Sequence, residues 1–121
     1  MESAFERILL RELDESLRVL MTVQSYTIGK YTFDVQKRLL EINGETVQLT
    51  RKESYILVYF AANINKLLLR KDILIAIWKE ETYYNSRSMD VYICKLRKML
   101  IKDAGIAIIN VHGVGYRMLV S

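Results

Sequence analysis

Side chains that break or transfer bonds are scarce in this sequence, whereas cations are plentiful. Cys94 is the only cysteine and His112 the only histidine among 121 residues. One thiol excludes an internal disulfide and a cysteine-based zinc cluster. One imidazole excludes multi-histidine metal sites and leaves a histidine-centred triad without support. Nothing near Cys94 in the sequence resembles a catalytic base, so nucleophilic chemistry has no visible partner. Gly113 and Gly115 do not form a nucleotide-type phosphate loop, because the required strand–loop–helix setting is absent. No paired-carboxylate motif is present, and no cofactor or metal is expected. The segment 85–102, by contrast, carries Arg87, Lys95, Arg97, Lys98 and Lys102 against Asp90 alone, a net charge of +4. Cations at that density bind polyanions.

A helix would sort these residues by face. Wound at about 100° per residue, Met89, Ile93, Leu96 and Leu100 share one apolar stripe. Arg87, Val91, Cys94, Lys95 and Lys98 fall opposite, with Arg97 at the edge. One apolar face and one basic face let a helix dock in a domain while presenting its far side to duplex DNA. The same lysines also fit plain solvated surface. Val91 on the outer face suits contact with a thymine methyl, and Cys94 fits a small filler. His112, in a glycine-rich turn, reads either as turn surface or as a donor to phosphate. Tyr83 and Tyr84 read as exposed loop residues, packed locally or marking a protein contact. Trp78 reads as a core anchor.

The elements that must position these residues follow from periodicity. Hydrophobic residues make up 51% and charged residues 26% of the chain, ordinary values for a globular domain. A chain this long folds as one domain with a core of its own. No apolar run reaches the roughly 20 residues of a membrane helix, and no secretory signal is visible, so a cytoplasmic setting and no membrane partner are expected. Residues 1–25 carry net charge −2 and the remaining 96 carry +6. Residues 5–21 form an amphipathic pattern, read as a lead-in helix on its own domain or as a helix that pairs with another subunit or domain. The division is therefore 1–25, lead-in helix and linker, and 26–121, the basic domain.

Within that domain, Tyr26–Ile28, Tyr31–Val35, Arg38–Ile42 and Thr46–Leu49 alternate as strands, with Asn43-Gly44 a strong hairpin signal. Thr50 and Glu53 have the spacing of a capping box, and the following helix has Ile56, Leu57, Phe60, Ala61 and Ile64 on one side. A second helix is expected over about 70–79. The third is expected to start near Ser86 or Ser88 and to reach about Lys102. Residues 106–120 read as a terminal hairpin, with Gly113 and Gly115 supplying backbone angles that other residues disfavour.

Four segments in this order identify a resemblance. Leu49-Thr50-Arg51-Lys52-Glu53, Arg70-Lys71-Asp72-Ile73-Leu74 running to Ile77-Trp78, the helix from Arg87 to Leu100, and Val111-His112-Gly113-Val114-Gly115-Tyr116-Arg117 together resemble the winged-helix effector domain of OmpR/PhoB-type response regulators, across about 96 of 121 residues. The resemblance implies an α+β winged helix-turn-helix: an N-terminal antiparallel sheet, three helices and a C-terminal β-hairpin wing. It implies sequence-specific double-stranded DNA binding for transcription regulation, with the third helix in the major groove and the wing at the minor groove. Arg87, Lys95 and Arg97 resemble helix positions that contact phosphates or bases, with Lys98 beside them. Val91 and Cys94 would add apolar contacts, Tyr92 would grip the backbone, and His112 and Arg117 belong to the wing.

The resemblance further implies direct-repeat sites, pairing of two copies on DNA, an upstream receiver domain answering a sensor kinase, and a loop at about 80–86, with Tyr83 and Tyr84, that touches RNA polymerase. Three departures stand out. Cys94 occupies a frequent arginine position, which weakens guanine readout there. His112 replaces a frequent wing arginine, giving a weaker, pH-sensitive contact. Leu69 stands where a serine or threonine often caps the second helix. The alternative reading is a winged-helix protein-interaction module docking RNA polymerase or another regulator; RNA binding ranks below it and catalysis last.

Overall fold

Hydrophobic period shifts from two to about 3.6 at Thr50, and the backbone changes from sheet to helix at that residue. Upstream of it, the computed structural model, which describes residues 13–121, places four short strands, β1 (Ser25–Ile28), β2 (Tyr31–Asp34), β3 (Leu39–Ile42) and β4 (Glu45–Gln48). They form an antiparallel meander in the order β1-β2-β3-β4. Asn43 and Gly44 both take positive φ, 51° and 80°, between the paired residues Ile42 and Glu45. That is the two-residue turn whose twist matches the flanking strands. Ile28, Tyr31, Phe33, Leu40 and Ile42 point into the core, so alternation has set the buried face.

Ahead of the sheet, a short helix α1 (Glu15–Leu20) is capped by Asp14, whose carboxylate accepts from the Ser16 amide at 2.9 Å. Leu13 and Leu17 join the main core, and the Asp14 amide donates to the Ala76 carbonyl at 3.3 Å. Residues 5–12 of the expected amphipathic helix lie outside the described residues.

Helix α2 (Arg51–Ala61) opens with the expected capping box: the Glu53 amide donates to Thr50 Oγ1 at 3.3 Å and the Thr50 amide to Glu53 Oε1 at 2.7 Å. It stops at Ala61, short of Ile64, and buries more than one side, with every residue from Glu53 to Val58 inside. The reason is tertiary: α1, β1 and three elements that follow all pack around it. Next in the chain comes strand β5 (Leu67–Leu69), which the periodicity did not reveal because three residues are too few to show a period; it meets the C-terminal strand. Helix α3 (Arg70–Trp78) begins directly after it. Leu69 offers its N-terminus no side-chain cap, as its apolar character requires, and the Arg70 amide is satisfied by Val114 O at 3.2 Å. The helix closes at Lys79, whose φ of 68° ends the right-handed turn.

Helix α4 (Tyr83–Met99) corrects the sequence expectation at both ends. Its cap is Thr82, whose hydroxyl accepts from the Asn85 amide at 3.0 Å, not Ser86 or Ser88, and it stops at Met99 rather than Lys102. Tyr83 and Tyr84 therefore belong to its first turn, and the connection from α3 shrinks to a few residues. Ser86 is diverted to another task, accepting a hydrogen bond from the Arg70 guanidinium.

The chain ends in β6 (Ile106–Val111) and β7 (Gly115–Val120), which with β5 form a second sheet in the order β5-β7-β6. Here Gly113 and Gly115 turn out to serve different needs. Gly113 has φ +70° with open space around it. Gly115 has an ordinary angle, but a Cβ there would lie 2.0 Å from the Leu68 carbonyl oxygen. It is required for close strand approach rather than for conformation, correcting the shared role expected of the two. The architecture is an α+β winged helix-turn-helix.

The two sheets are tied through the turn after α4. Asp103 accepts from the Lys30 amide at 2.8 Å and the Gly105 amide at 2.9 Å. The Lys102 amide donates to the Tyr31 hydroxyl at 3.0 Å, and its ammonium pairs with Glu45. The two backbone amides hold the Asp103 carboxyl below its ordinary value, the Lys30 amide most strongly.

Candidate nucleic-acid interface

Helix α4 is seated by the stripe that periodicity predicts. Met89, Ile93 and Leu96 are fully buried, and Leu100, just past the helix end, is 3% exposed. Their burial turns the opposite side outward, and Arg87, Val91, Cys94, Lys95 and Lys98 all lie exposed along it. Val91 is 55% exposed. The Cys94 thiol is free and accessible.

Aromatic rings flank this face. Tyr92 is half-buried, with its ring centroid 6.0 Å from that of Trp78, and Lys95 Nζ stands 5.2 Å over the Tyr92 ring. Lys52 Nζ lies 5.0 Å from the Trp78 centroid. Trp78 is half-buried and packs against the edge of the core, in keeping with its reading as a core anchor. The result is a short ladder of cations and rings running from α2 across α3 to α4. Cations resting on ring faces lose less freedom on meeting phosphate than fully solvated ones.

Arg97 is placed differently from its neighbours. Its Nε and Nη2 donate to the Ile108 carbonyl on β6 at 3.0 and 2.8 Å, and its guanidinium carbon lies 6.0 Å over the Tyr116 ring. The structure thus separates it from the free cations of the outer face and turns it toward the wing.

Sequence reading missed a second polar group. Arg70 donates from Nη1 to Asp90 Oδ1 at 2.9 Å and to the Tyr116 hydroxyl at 3.3 Å, and from Nη2 to Ser86. The Tyr116 hydroxyl in turn donates to Asp90 Oδ1 at 2.6 Å. Partial burial pushes the Asp90 carboxyl upward, but the bonds from Arg70 and Tyr116 outweigh it and leave it below its ordinary value. Burial, reinforced by Asp90, raises the Tyr116 phenol, which stays a donor. One signal could have exposed this group: Asp90 is the lone acid in a strongly basic segment.

The wing residues do not converge. His112 is exposed in the turn between β6 and β7, next to Gly113. Arg117 is half-buried on the central strand β7, paired across to Leu67 on one side and Ile109 on the other, and its buried Nε has no hydrogen-bond partner. Tyr83 and Tyr84 are 81% and 87% exposed at the start of α4. No group of three or more metal-ligating side chains occurs among the described residues, and none of their helices is long and apolar enough to cross a membrane.

Residues 44–118 match the family model described as "Transcriptional regulatory protein, C terminal". The chain belongs to this family. It is an OmpR/PhoB-type winged-helix effector domain, a DNA-binding module of transcription regulators and not a catalyst. It is 50% identical over 94 residues to the transcriptional regulatory protein RprY of Bacteroides fragilis, covering 78% of this chain and 40% of RprY. The chain thus spans well under half the length of that relative. The DNA-binding domain of RstA from Klebsiella pneumoniae, solved in complex with its RstA box, superposes with a TM-score of 0.67 at 26% identity, covering 80% of this chain and 98% of that one. The response regulator DrrB of Thermotoga maritima gives 0.68 at 26% identity, over 94% of this chain and 52% of that one. For a winged-helix effector domain, the seating of α4 is the expected one: apolar side in, basic side out.

Proposed function

We propose that this domain reads a specific DNA operator by laying α4 in the major groove and its hairpin wing along the adjacent minor groove, as the output domain of a two-component response regulator. One observation carries this reading: α4 is locked by four apolar side chains while Arg87, Val91, Cys94, Lys95 and Lys98 stand exposed on the reverse side. Arg87, Lys95 and Lys98 supply charge-assisted bonds to phosphates, and Lys95, central on the outer face, reaches base edges. Val91 and Cys94 supply apolar contacts to base methyls. Tyr92 contacts the backbone, and His112 and Arg117 extend the footprint from the wing. Arg97 adds positive charge at the rim while held to β6.

Two copies assemble head to tail on direct repeats when an upstream receiver domain, addressed by a sensor kinase, brings them together. RstA's DNA-binding domain, solved in complex with its RstA box, supports DNA binding by a domain of this shape. The exposed pair Tyr83 and Tyr84, beside Glu80 and Glu81, supports a separate contact with RNA polymerase through aromatic surface at the start of α4.

In-vitro selection from a random duplex pool at stated salt tests this. Enrichment of spaced repeats is the expected outcome, and log K against log salt then falls with a slope near 0.9 per phosphate neutralised. A pool that stays random, with a slope near zero, overturns the reading. Retained partner binding after Lys95 and Arg97 are neutralised would favour a protein-docking role instead.

A further inference from the structure

We infer that Tyr116 is the positioning residue that fixes the angle between the groove-reading helix and the wing, with Asp90 and Arg97 as its two anchor points on α4. The inference rests on the duplex-binding reading for its consequence, but not for its geometry. Tyr116 is 4% exposed on β7, and three elements converge on it. Its hydroxyl joins Asp90 of α4 at 2.6 Å and Arg70 of α3 at 3.3 Å. Its ring lies under the guanidinium carbons of Arg70 and Arg97, at 5.7 and 6.0 Å. Arg97 at the same time holds the Ile108 carbonyl on β6 through two nitrogens.

The physical reason such a clamp is needed lies in the apolar contacts beneath it. Ile108 and Met118 bury the hairpin against the helices, but apolar packing has no direction and tolerates a pivot. Hydrogen bonds are directional. Asp90 and Arg97 are seven residues apart, about 10 Å along a helix axis. Two directional anchors at that spacing fix the tilt of a hairpin, where one would leave a hinge. Arg97 therefore acts mainly through the wing, and its contribution depends on a planar group that donates twice to one carbonyl, which lysine cannot reproduce.

The test compares Tyr116→Phe and Arg97→Lys with the wild-type 121-residue chain. Tyr116→Phe keeps the ring and loses the hydroxyl; Arg97→Lys keeps the charge and loses the fork. Amide residual dipolar couplings on free protein report helix–wing orientation, and hydroxyl-radical footprinting on the selected duplex reports wing contact. Both are run well below each variant's melting temperature, verified by circular dichroism. In both variants, the couplings of α4 and of β6–β7 should no longer fit one alignment tensor, and protection at the wing flank should fade while that at α4 persists. Specific affinity should fall roughly tenfold, the scale on which packed networks couple sites, with the non-specific binding of Tyr116→Phe unchanged. Variants that only lower the melting temperature, keeping one tensor and the full footprint, overturn the inference. If the wild type protects no selected duplex, the DNA reading fails, and the couplings alone decide whether the clamp stands.

Discussion

Lys95 stands on the outer face of α4 with its ammonium over the Tyr92 ring, so its stem is steered before any ligand arrives. If it meets a base, Lys95→Ala should weaken binding to the selected duplex by about 1–3 kcal/mol and relax preference at one position. Fluorescence anisotropy against selected and scrambled duplexes separates that outcome from a uniform loss, which would place Lys95 on a phosphate. Gly113 and Gly115 provide a sharper contrast. Gly113→Ala meets nothing but an unfavourable angle, φ +70°, and should cost about 1 kcal/mol. Gly115→Ala would drive a methyl into Leu68 O and should cost more, about 1–3 kcal/mol, by forcing β5 and β7 apart. Thermal melts of the two variants check the order. Two glycines separated by a single residue look alike in the sequence, because nothing local records how near β5 comes.

At the scale of elements, the ends of α4 decide which side chains reach the groove. The Thr82 cap places Tyr83 and Tyr84 on the helix and frees Ser86 to accept from Arg70. Thr82→Ala should lower stability by about 1 kcal/mol, and hydrogen exchange should quicken first at the amides of the opening turn, with the rest of α4 protected. The middle of the helix was legible in the sequence, since Met89, Ile93 and Leu96 recur at helical spacing and are all buried. Its start was not, because Thr82, Ser86 and Ser88 are all competent caps, and nothing local records that Ser86 is taken by Arg70, twenty residues ahead of Asp90 in the same network. Strand β5 was invisible for a related reason: three leucines between two helices acquire strand geometry from β7, not from their own pattern.

For the whole molecule, the joints between the two sheets and the helices rest on carboxylates. Asp103 and Asp90 are both held below the ordinary aspartate value, Asp103 by backbone amides and Asp90 by Arg70 and Tyr116 acting against burial. Each binds fewer protons folded than unfolded, so its stabilisation is complete above the ordinary range near ~4 and drains away as pH falls through the lowered values. The melting temperature should therefore hold near neutrality and drop steeply in acid. Asp103→Asn should melt lower at neutral pH and show a shallower acid limb in the same calorimetric series; an unchanged limb would remove Asp103 from the joint. Because Asp103 ties the β1–β2 turn to the turn before the wing, acid should loosen the N-terminal sheet from the winged half.

The sequence by itself determined the order of sheet, helices and hairpin, the capping box at Thr50, the Asn43-Gly44 turn, and which side of the third helix faces water. All of these follow from periods and short-range chemistry that a stretch of chain carries wherever it sits. Tertiary structure alone decided that Arg97 turns to the Ile108 carbonyl while Lys95 stays exposed, and that Arg70, Asp90 and Tyr116, separated by 20 to 46 residues, share a hydrogen-bond network. Contacts between distant residues depend on how elements pack, and a single chain read in order has no term for that distance.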